Sequence, residues 1–256
     1  MTASLTRSRR TEKRCGGSFR WKRVALASGI PFVAVQIATI AFTAAFFATM
    51  HPPVDASPAE AARGFARAET LVEVGTYFYV LQVPFFLFFL GGLFGVLGAA
   101  ESGSGALSIS ALGAGIAMVV IASMGALISS LTPTIGQLGG DGATVKAIDA
   151  MTPLALALSA FPRAVFLVAT SVVLLESRTA PRWIGWTGLV LGVISLVSTG
   201  TLVAPWLFPL LALGTMLFVV WVAALTVTLL RQPRTGSRVV PPVDGAGRVS
   251  GEPNGM

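Results

Sequence analysis

The chain has 256 residues, of which 54% are hydrophobic and only 11% are charged, whereas a soluble domain carries about 25% charged residues. This composition excludes an ordinary soluble domain and predicts a membrane protein with several spans. With Cys15 as the single cysteine and His51 as the single histidine, one chain cannot form an internal disulfide, a bis-histidine haem site or a three-histidine zinc site. We therefore expect no cofactor.

The first 23 residues form a basic segment in which Glu12 is the only acid. Such a cluster can bind nucleic acid or anionic lipid, but before a first span it is more typical of a signal that keeps the N-terminus in the cytoplasm. We expect this segment to contact anionic lipids, and we expect no nucleic-acid partner. Its basic residues are Arg7, Arg9, Arg10, Lys13, Arg14, Arg20, Lys22 and Arg23.

Six apolar runs follow, and each is close to the ~20 residues that a helix needs to cross ~30 Å of hydrocarbon. The first run exceeds the apolar core of about 7–15 residues in a signal peptide, which predicts a retained span. The last two are separated only by Ala204 and Pro205, so five spans with a re-entrant final element are the main alternative. We predict an all-α polytopic membrane protein whose six transmembrane helices cover residues 24–50, 75–100, 106–131, 153–175, 183–203 and 206–230.

Most of the 18 lysines and arginines fall on one side of this arrangement. That asymmetry predicts cytoplasmic termini and a multi-pass location in the cell membrane. Arg182, Trp183 and Trp186 then open the fifth span at the inner interface, where we expect them to act as anchors. Residues 231–256 are rich in Pro, Gly and Arg, which predicts a disordered cytoplasmic tail.

Both longer outer loops contain a helix signal. Ser57 and Glu60 form a capping-box pattern with Pro58 between them, and the apolar residues that follow predict a short amphipathic helix on the outer membrane surface. This helix is either a connector or a lid over an outward cavity. In the second loop, Asp141 follows a glycine cluster and is expected to cap a short helix through Ile148.

Arg163 is the one charge near the middle of an apolar run. Such a charge costs about 2.5–3.5 kcal/mol on insertion scales, so it needs a polar partner, a wet cavity or a route to the interface. Gln36 and Gln82 lie within the first and second spans, whereas every acid lies at a span end or outside the spans. We therefore predict a polar intramembrane site formed by Arg163, Gln82 and Gln36.

Two prolines lie beside these polar residues. Pro84 follows Gln82, and Pro162 precedes Arg163 at a similar depth from the outer side. In transporters, helices broken at matching positions point to a binding site near the midplane, so we predict helix breaks at both prolines. The alternative is that each proline only kinks its helix, because proline is frequent in membrane helices.

Small residues four positions apart recur in three spans. Such pairs let helices approach closely, either within one bundle or between this chain and a homo-oligomer or membrane partner protein. The pairs are Gly91 and Gly95, Gly113 and Ala117, and Gly188 and Gly192.

Catalytic patterns are missing from the apolar runs. No run contains a histidine beside a serine or a pair of acids, and the chain has no His-Glu-x-x-His sequence. We predict that the protein is not an enzyme.

Residues 176–186 (Glu-Ser-Arg-Thr-Ala-Pro-Arg-Trp-Ile-Gly-Trp) form a basic turn that opens a glycine-bearing span. This turn, with residues 161–166 and 111–115, resembles a group of uncharacterised actinobacterial integral membrane proteins of the domain-of-unknown-function type. The resemblance covers about residues 75–203. It implies a six-helix protein of the cytoplasmic membrane without an assigned activity. In that group the residue after the proline is usually apolar, so Arg163 is a departure.

Two functional hypotheses remain. The first is a non-enzymatic accessory or partner-binding component, and the second is a small transporter or channel with an outward-facing polar pocket around Arg163. The environment of Arg163 distinguishes them, because a side chain packed against lipid or extended to the interface would leave the transporter hypothesis without support.

Overall fold

The computed structural model describes residues 21–49, 56–138 and 141–232, and all regular secondary structure in these ranges is helical. The basic segment up to residue 20, residues 50–55, residues 139 and 140, and the predicted tail from residue 233 lie outside the described residues. The helices are α1 (Trp21–Thr49, with a turn at Ser28), α2 (Pro58–Arg67), α3 (Glu69–Ala100), α4 (Ala106–Gln137), α5 (Gly142–Ser177), α6 (Arg182–Ser198) and α7 (Phe208–Arg231).

Six of these helices are long and apolar enough to cross a membrane: α1, α3, α4, α5, α6 with its following turn, and α7. The predicted all-α, multi-pass membrane fold is therefore confirmed. Two short 3₁₀ turns, Thr199–Leu202 and Pro205–Leu207, separate α6 from α7. The alternative of five spans with a re-entrant final element is not supported, because α6 and α7 are separate helices.

Three helices extend beyond the apolar runs. Compared with the predicted spans, α3 starts earlier, α4 ends later, and α5 starts at Gly142. Asp141 caps α5 by accepting a hydrogen bond of 3.2 Å from the N–H of Ala143. The short helix predicted after Asp141 is therefore wrong as a separate element, because it continues through Pro153 into the span.

The prolines at positions 84 and 162 lie inside continuous helices. The prediction of helix breaks at these prolines is wrong, since both helices continue on either side of the proline. Each proline lacks an N–H group, so the carbonyls of Val80 and Leu158 have no partner four residues later. The local consequence is one missing helical hydrogen bond at each proline rather than two interrupted helices.

The six spans form a closed ring in the order α1, α3, α4, α5, α6 and α7, with α7 returning to α1. Hydrogen bonds join neighbouring helices within this ring. The hydroxyl of Ser28 donates to the carbonyl of Phe85 at 2.9 Å, and Nε1 of Trp221 donates to the carbonyl of Ile184 at 2.9 Å. The central helix is α5, since 61% of its most apolar segment is buried, against 17–44% for the other spans.

The two ends of the bundle differ in charge. The side chain of Lys22 lies beside Gly95 near the end of α3, and the side chain of Gln232 donates to the carbonyl of Thr179 in the turn between α5 and α6. These contacts gather five of the described basic residues at one end, which we call the basic end: Lys22, Arg23, Arg178, Arg182 and Arg231. The helix α2 lies at the opposite end.

The predicted amphipathic helix is present as α2. Its first turn has the capping box, in which the N–H of Glu60 donates to the hydroxyl oxygen of Ser57 at 3.3 Å and the N–H of Ser57 donates to the carboxylate of Glu60 at 2.9 Å. The hydroxyl of Ser57 also donates to this carboxylate at 2.7 Å, and this hydrogen bond is the largest cause of the lowered pKa of Glu60. The apolar face of α2 packs against α4 and α5 rather than lying on lipid. Close approach is allowed because Gly136 and Gly142 face the backbone of α2.

An aromatic layer crosses the bundle interior. Ring centroids lie 4.7 Å apart in the pair Phe32–Phe86, 6.1 Å apart in Phe86–Phe166 and 6.2 Å apart in Phe166–Trp221. Offset and edge-to-face pairs of this kind stabilise a packed core. The layer consists of Phe32, Phe86, Phe89, Phe166, Phe218 and Trp221, which are all buried. Many apolar side chains outside it, such as Phe88 and Val220, point away from the bundle and form a surface suited to lipid.

Candidate intramembrane site

Arg163 lies inside the ring of helices. Its side chain is only 3% exposed, and its backbone lies about 21 Å along the α5 axis from Ser177 at the basic end. Because the hydrocarbon core is about 30 Å thick, this distance places Arg163 beyond the middle of the span, in the half that lies nearer to α2. Arg163 neither faces lipid nor extends to the interface.

Two hydroxyl groups hold the guanidinium. Nε of Arg163 donates to Oγ of Ser195 at 3.1 Å, and Nη1 donates to Oγ1 of Thr215 at 2.6 Å. Thr215 uses its own proton to donate to the carbonyl of Leu211 at 2.9 Å, so its oxygen is available as an acceptor for Arg163. Gly214 lies next to the guanidinium, since a Cβ atom there would lie 3.9 Å from Nη2, which is an ordinary contact distance.

These hydroxyl partners are neutral, so the positive charge of Arg163 is not compensated. The acids on α5, Asp149 and Glu176, are each about 20 Å away along the helix axis. Among the residues that the structure describes, the hydrogen-bond partners of Arg163 are hydroxyl groups rather than carboxylates, and its Nη2 atom is buried without a hydrogen bond. A buried charge of this kind carries a large desolvation penalty unless it is paired.

A partly open cavity of about 60 Å³ adjoins the guanidinium. One water needs roughly 10–15 Å³ of such space, so the cavity has room for about four to six water-sized groups. Its walls come from α1, α3, α4, α5 and α7. The polar side chains in these walls are Gln36, Tyr79, Gln82, Ser123, Ser159, Arg163 and Thr215.

The structure brings the three predicted polar residues to this one cavity. Gln36 and Gln82 are 8% and 6% exposed, and both line it together with Arg163. The side-chain oxygen Oε1 of Gln82 is buried without a hydrogen-bond donor, as is Oγ of Ser123. The cavity therefore contains an unpaired cationic donor and at least two unpaired oxygen atoms.

The aromatic layer closes the cavity on the side of the basic end. Phe32, Phe86 and Phe218 belong both to that layer and to the cavity wall. Along every helix that contributes, the polar lining residues lie beyond the layer, towards α2. The cavity is thus separated from the basic end by packed aromatic rings and lies in the half of the bundle nearer to α2.

The predicted interface anchors lie far from this site. Arg182, Trp183 and Trp186 are exposed at the start of α6, at the basic end of the bundle. Their positions suit a headgroup region, where tryptophan and arginine are enriched. They take no part in the cavity, and their role as anchors stays a prediction.

Several residues of the site were not predicted from the sequence, namely Ser195, Thr215, Tyr79 and Ser123. For Ser195 and Thr215, the sequence contains a usable signal, which is the depth of each residue along its span. Counted from the basic ends of their helices, Ser195 and Thr215 lie about 20–24 Å along the axis, close to the value for Arg163. Aligning the spans from their basic ends, rather than examining each run separately, brings these hydroxyl groups to one level.

In the three described ranges, no group of three His, Cys, Asp or Glu side chains lies close enough together to hold a metal ion. No protein-family model matches the chain, and no curated protein and no solved structure is significantly similar to it. The resemblance to actinobacterial membrane proteins therefore stays an expectation.

Proposed function

We propose that the protein is a non-enzymatic membrane transport protein, a small transporter or channel, that binds a small polar solute in the cavity beside Arg163. One observation carries the proposal: a buried guanidinium in the middle of a span faces a polar cavity with its Nη2 atom unpaired. This environment favours the transporter hypothesis, which required that Arg163 face neither lipid nor the interface.

The energetics of Arg163 support a role beyond packing. An arginine at this depth costs about 2.5–3.5 kcal/mol on insertion scales, and the hydrogen bonds to Ser195 and Thr215 leave its Nη2 atom without a partner. A helix that served only as a scaffold could have an apolar residue at the same position. A solute that compensates the charge gives the arginine a function, and intramembrane ionisable residues commonly mark solute pathways.

The position of the cavity indicates the side from which a solute enters. The aromatic layer blocks the route to the basic end, whereas the polar lining continues on the side of α2. If the basic end faces the cytoplasm, as the positive-inside rule predicts, the cavity is accessible from outside the cell. Transport then requires the aromatic layer to open, as alternating access demands.

Cysteine labelling tests water access to the cavity. In a Cys15→Ser background, Ser123→Cys places a thiol in the cavity wall, and Met124→Cys places one on the neighbouring residue, which is 57% exposed on the apolar surface. A charged, membrane-impermeant methanethiosulfonate reacts with thiolates in water. We expect it to label the Ser123→Cys variant in intact vesicles and to leave the Met124→Cys variant unlabelled. Equal reactivity of the two variants, or no reaction of Ser123→Cys from either side, would contradict the proposal.

A partner-binding role is the second candidate function. Gly188 and Gly192 pack against α5 inside the bundle, but a Cβ atom at Gly91 or Gly113 would contact nothing in the described chain. Small residues on an outer helix face allow close contact with a helix of another protein or of a second copy. Disulfide crosslinking between chains that carry Gly91→Cys in the Cys15→Ser background tests this role, with the lipid-facing Val220→Cys as control.

A further inference from the structure

The sign and number of the charges in the cavity restrict the class of solute. This inference rests on the proposed function. Arg163 is the only charged side chain in the cavity wall among the described residues. A neutral solute would leave the guanidinium uncompensated, and a dianion would bring one unpaired negative charge into a medium of low dielectric constant. The lining therefore matches a solute with a single negative charge.

The free donors of Arg163 specify how that charge is contacted. Nε and Nη1 already donate to Ser195 and Thr215, whereas Nη2 has no partner. Of its five N–H groups, two on Nη2 and one on Nη1 remain free. A pair of N–H groups on the planar guanidinium can fit the two oxygens of a carboxylate.

The unpaired oxygens call for a second polar group on the solute. Oε1 of Gln82 needs a donor, and Oγ of Ser123 needs a donor or an acceptor. A hydroxyl group serves either one, because it both donates and accepts a hydrogen bond. Chloride, nitrate and a simple carboxylate have no donor of their own to offer to Gln82.

The size and remaining lining of the cavity limit the carbon skeleton. The volume fits about four to six non-hydrogen atoms of water size, and apolar side chains such as Phe86, Met118 and Val119 complete the wall. We propose that the solute is a small hydroxylated monocarboxylate, with its carboxylate on Nη2 of Arg163 and its hydroxyl beside Gln82.

Three probes of nearly equal size separate the elements of this proposal. Lactate has the charge and the hydroxyl, propionate lacks the hydroxyl, and lactamide lacks the charge. Binding is measured by calorimetry on the full chain in nanodiscs. We expect lactate to bind about tenfold more tightly than propionate, because propionate leaves a buried acceptor unsatisfied. We expect lactamide and chloride to bind more weakly than propionate.

Two substitutions at Gln82 separate loss of recognition from loss of folding. Gln82→Glu introduces a carboxylate of the same size into the cavity, where it can pair with Arg163 and replace the anion. We expect it to weaken lactate binding at least about tenfold without lowering the unfolding temperature. Gln82→Leu removes the acceptor, so lactate and propionate should then bind with equal affinity.

The outcomes distinguish this inference from the proposed function. If lactamide binds as tightly as lactate, or if Gln82→Glu binds lactate like the wild type, the charge is not recognised and the inference is wrong. The inference is also wrong if none of the probes binds although the Ser123→Cys variant is labelled. In each of these cases the proposed function, which requires only a water-accessible cavity, is not contradicted. If the Ser123→Cys variant is not labelled from either side, both proposals are wrong.

Discussion

Nη1 of Arg163 and Oγ1 of Thr215 form a hydrogen bond of 2.6 Å between helices α5 and α7, although the two residues are 52 positions apart in the chain. With Ser195 on α6, this bond links three spans at one depth. The groups that hold the guanidinium therefore also connect the helices around the cavity. Substitutions here should separate what Arg163 contributes to folding from what it contributes to binding.

Thr215→Val tests the contribution of this hydrogen bond, because it removes the acceptor and keeps the shape of the side chain. We expect the free energy of unfolding to fall by about 1.5–3 kcal/mol, the usual range for a hydrogen bond to a charged group. Unfolding in detergent, followed by tryptophan fluorescence, measures the change. Thr187→Val is the matched control, since the Thr187 hydroxyl is exposed and donates only to carbonyls of its own helix. Equal losses in both variants would show that Arg163 gains nothing from Thr215.

Gly188→Ala and Gly91→Ala should change stability in opposite directions. A Cβ atom at Gly188 would collide with Oγ of Ser171 and lie 3.0 Å from Trp221, whereas at Gly91 it would contact nothing. Overpacking costs about 1–3 kcal/mol, and replacing an open helical glycine by alanine gains about 0.5–1 kcal/mol. Thermal unfolding of the two variants gives the comparison. A loss of stability in Gly91→Ala would instead indicate that this face of α3 packs against another chain.

Hydropathy was sufficient to predict the spans because each apolar run is long enough to cross the membrane and is bounded by polar residues or by a proline. It failed at the end near α2, where short-range contacts decide the helix ends. Asp141 caps α5 by a hydrogen bond to Ala143, and α2 packs on glycines at positions 136 and 142. The cap is local and was predicted from Asp141, but the packing of α2 on these glycines depends on how the chain folds back on itself, which apolar runs do not encode.

The polar site was also predictable only in part, because the role of some of its residues depends on how the helices pack. Arg163, Gln82 and Gln36 stand out because their side chains cannot be satisfied by their own helix. Serine and threonine commonly donate to a carbonyl in the preceding turn, as Ser159 does to Leu156. Such residues are ordinary in membrane helices, so the role of Ser195 and Thr215 becomes visible only when α6 and α7 lie against α5.

The stability of the turn between α3 and α4 should depend on pH through Glu101. Its carboxylate accepts hydrogen bonds from the N–H groups of Leu107 and Ser108, at 3.1 and 3.0 Å, and from the Ser108 hydroxyl at 2.6 Å. The hydroxyl bond is the largest cause of a lowered pKa for Glu101, below its ordinary value of 4.5. The folded state therefore favours the charged form.

The stabilisation from Glu101 is complete above the unfolded-state pKa and is lost as the pH falls through the lower folded-state value. We expect Glu101→Gln to unfold at a lower temperature than the wild type at pH 7, and we expect the difference to vanish at acid pH. Ser108→Ala removes the main cause of the shift, so in that variant the loss should be smaller and should be complete at a higher pH. A difference between wild type and Glu101→Gln that is constant with pH would contradict this assignment.

The orientation of the bundle is testable with single cysteines in the Cys15→Ser background. Ser104 lies in the short turn between α3 and α4 at the basic end, and Ala59 lies in α2 at the opposite end, with both residues exposed. The positive-inside rule places the basic end in the cytoplasm. An impermeant maleimide should therefore label Ala59→Cys in intact cells and Ser104→Cys only after permeabilisation. The reverse pattern would mean that the cavity opens to the cytoplasm.

Arg163→Met should keep the fold while abolishing transport. The substitution removes a charge that costs about 2.5–3.5 kcal/mol in a membrane helix, and it leaves Thr215 bonded to the carbonyl of Leu211. The lost hydrogen bonds to Ser195 and Thr215 act in the opposite direction, so we expect the free energy of unfolding to change by less than about 2 kcal/mol. Uptake of radiolabelled lactate into liposomes should be lost.

Ser159→Ala is the control for Arg163→Met, because it lies on the same helix and in the same cavity wall. Its hydroxyl donates to the carbonyl of Leu156 at 2.7 Å, so its removal leaves no charge unpaired. We expect this variant to retain both folding and uptake. A misfolded Arg163→Met beside a folded Ser159→Ala would make Arg163 a structural residue and favour the accessory hypothesis. Normal uptake by folded Arg163→Met would show that the solute does not depend on the guanidinium.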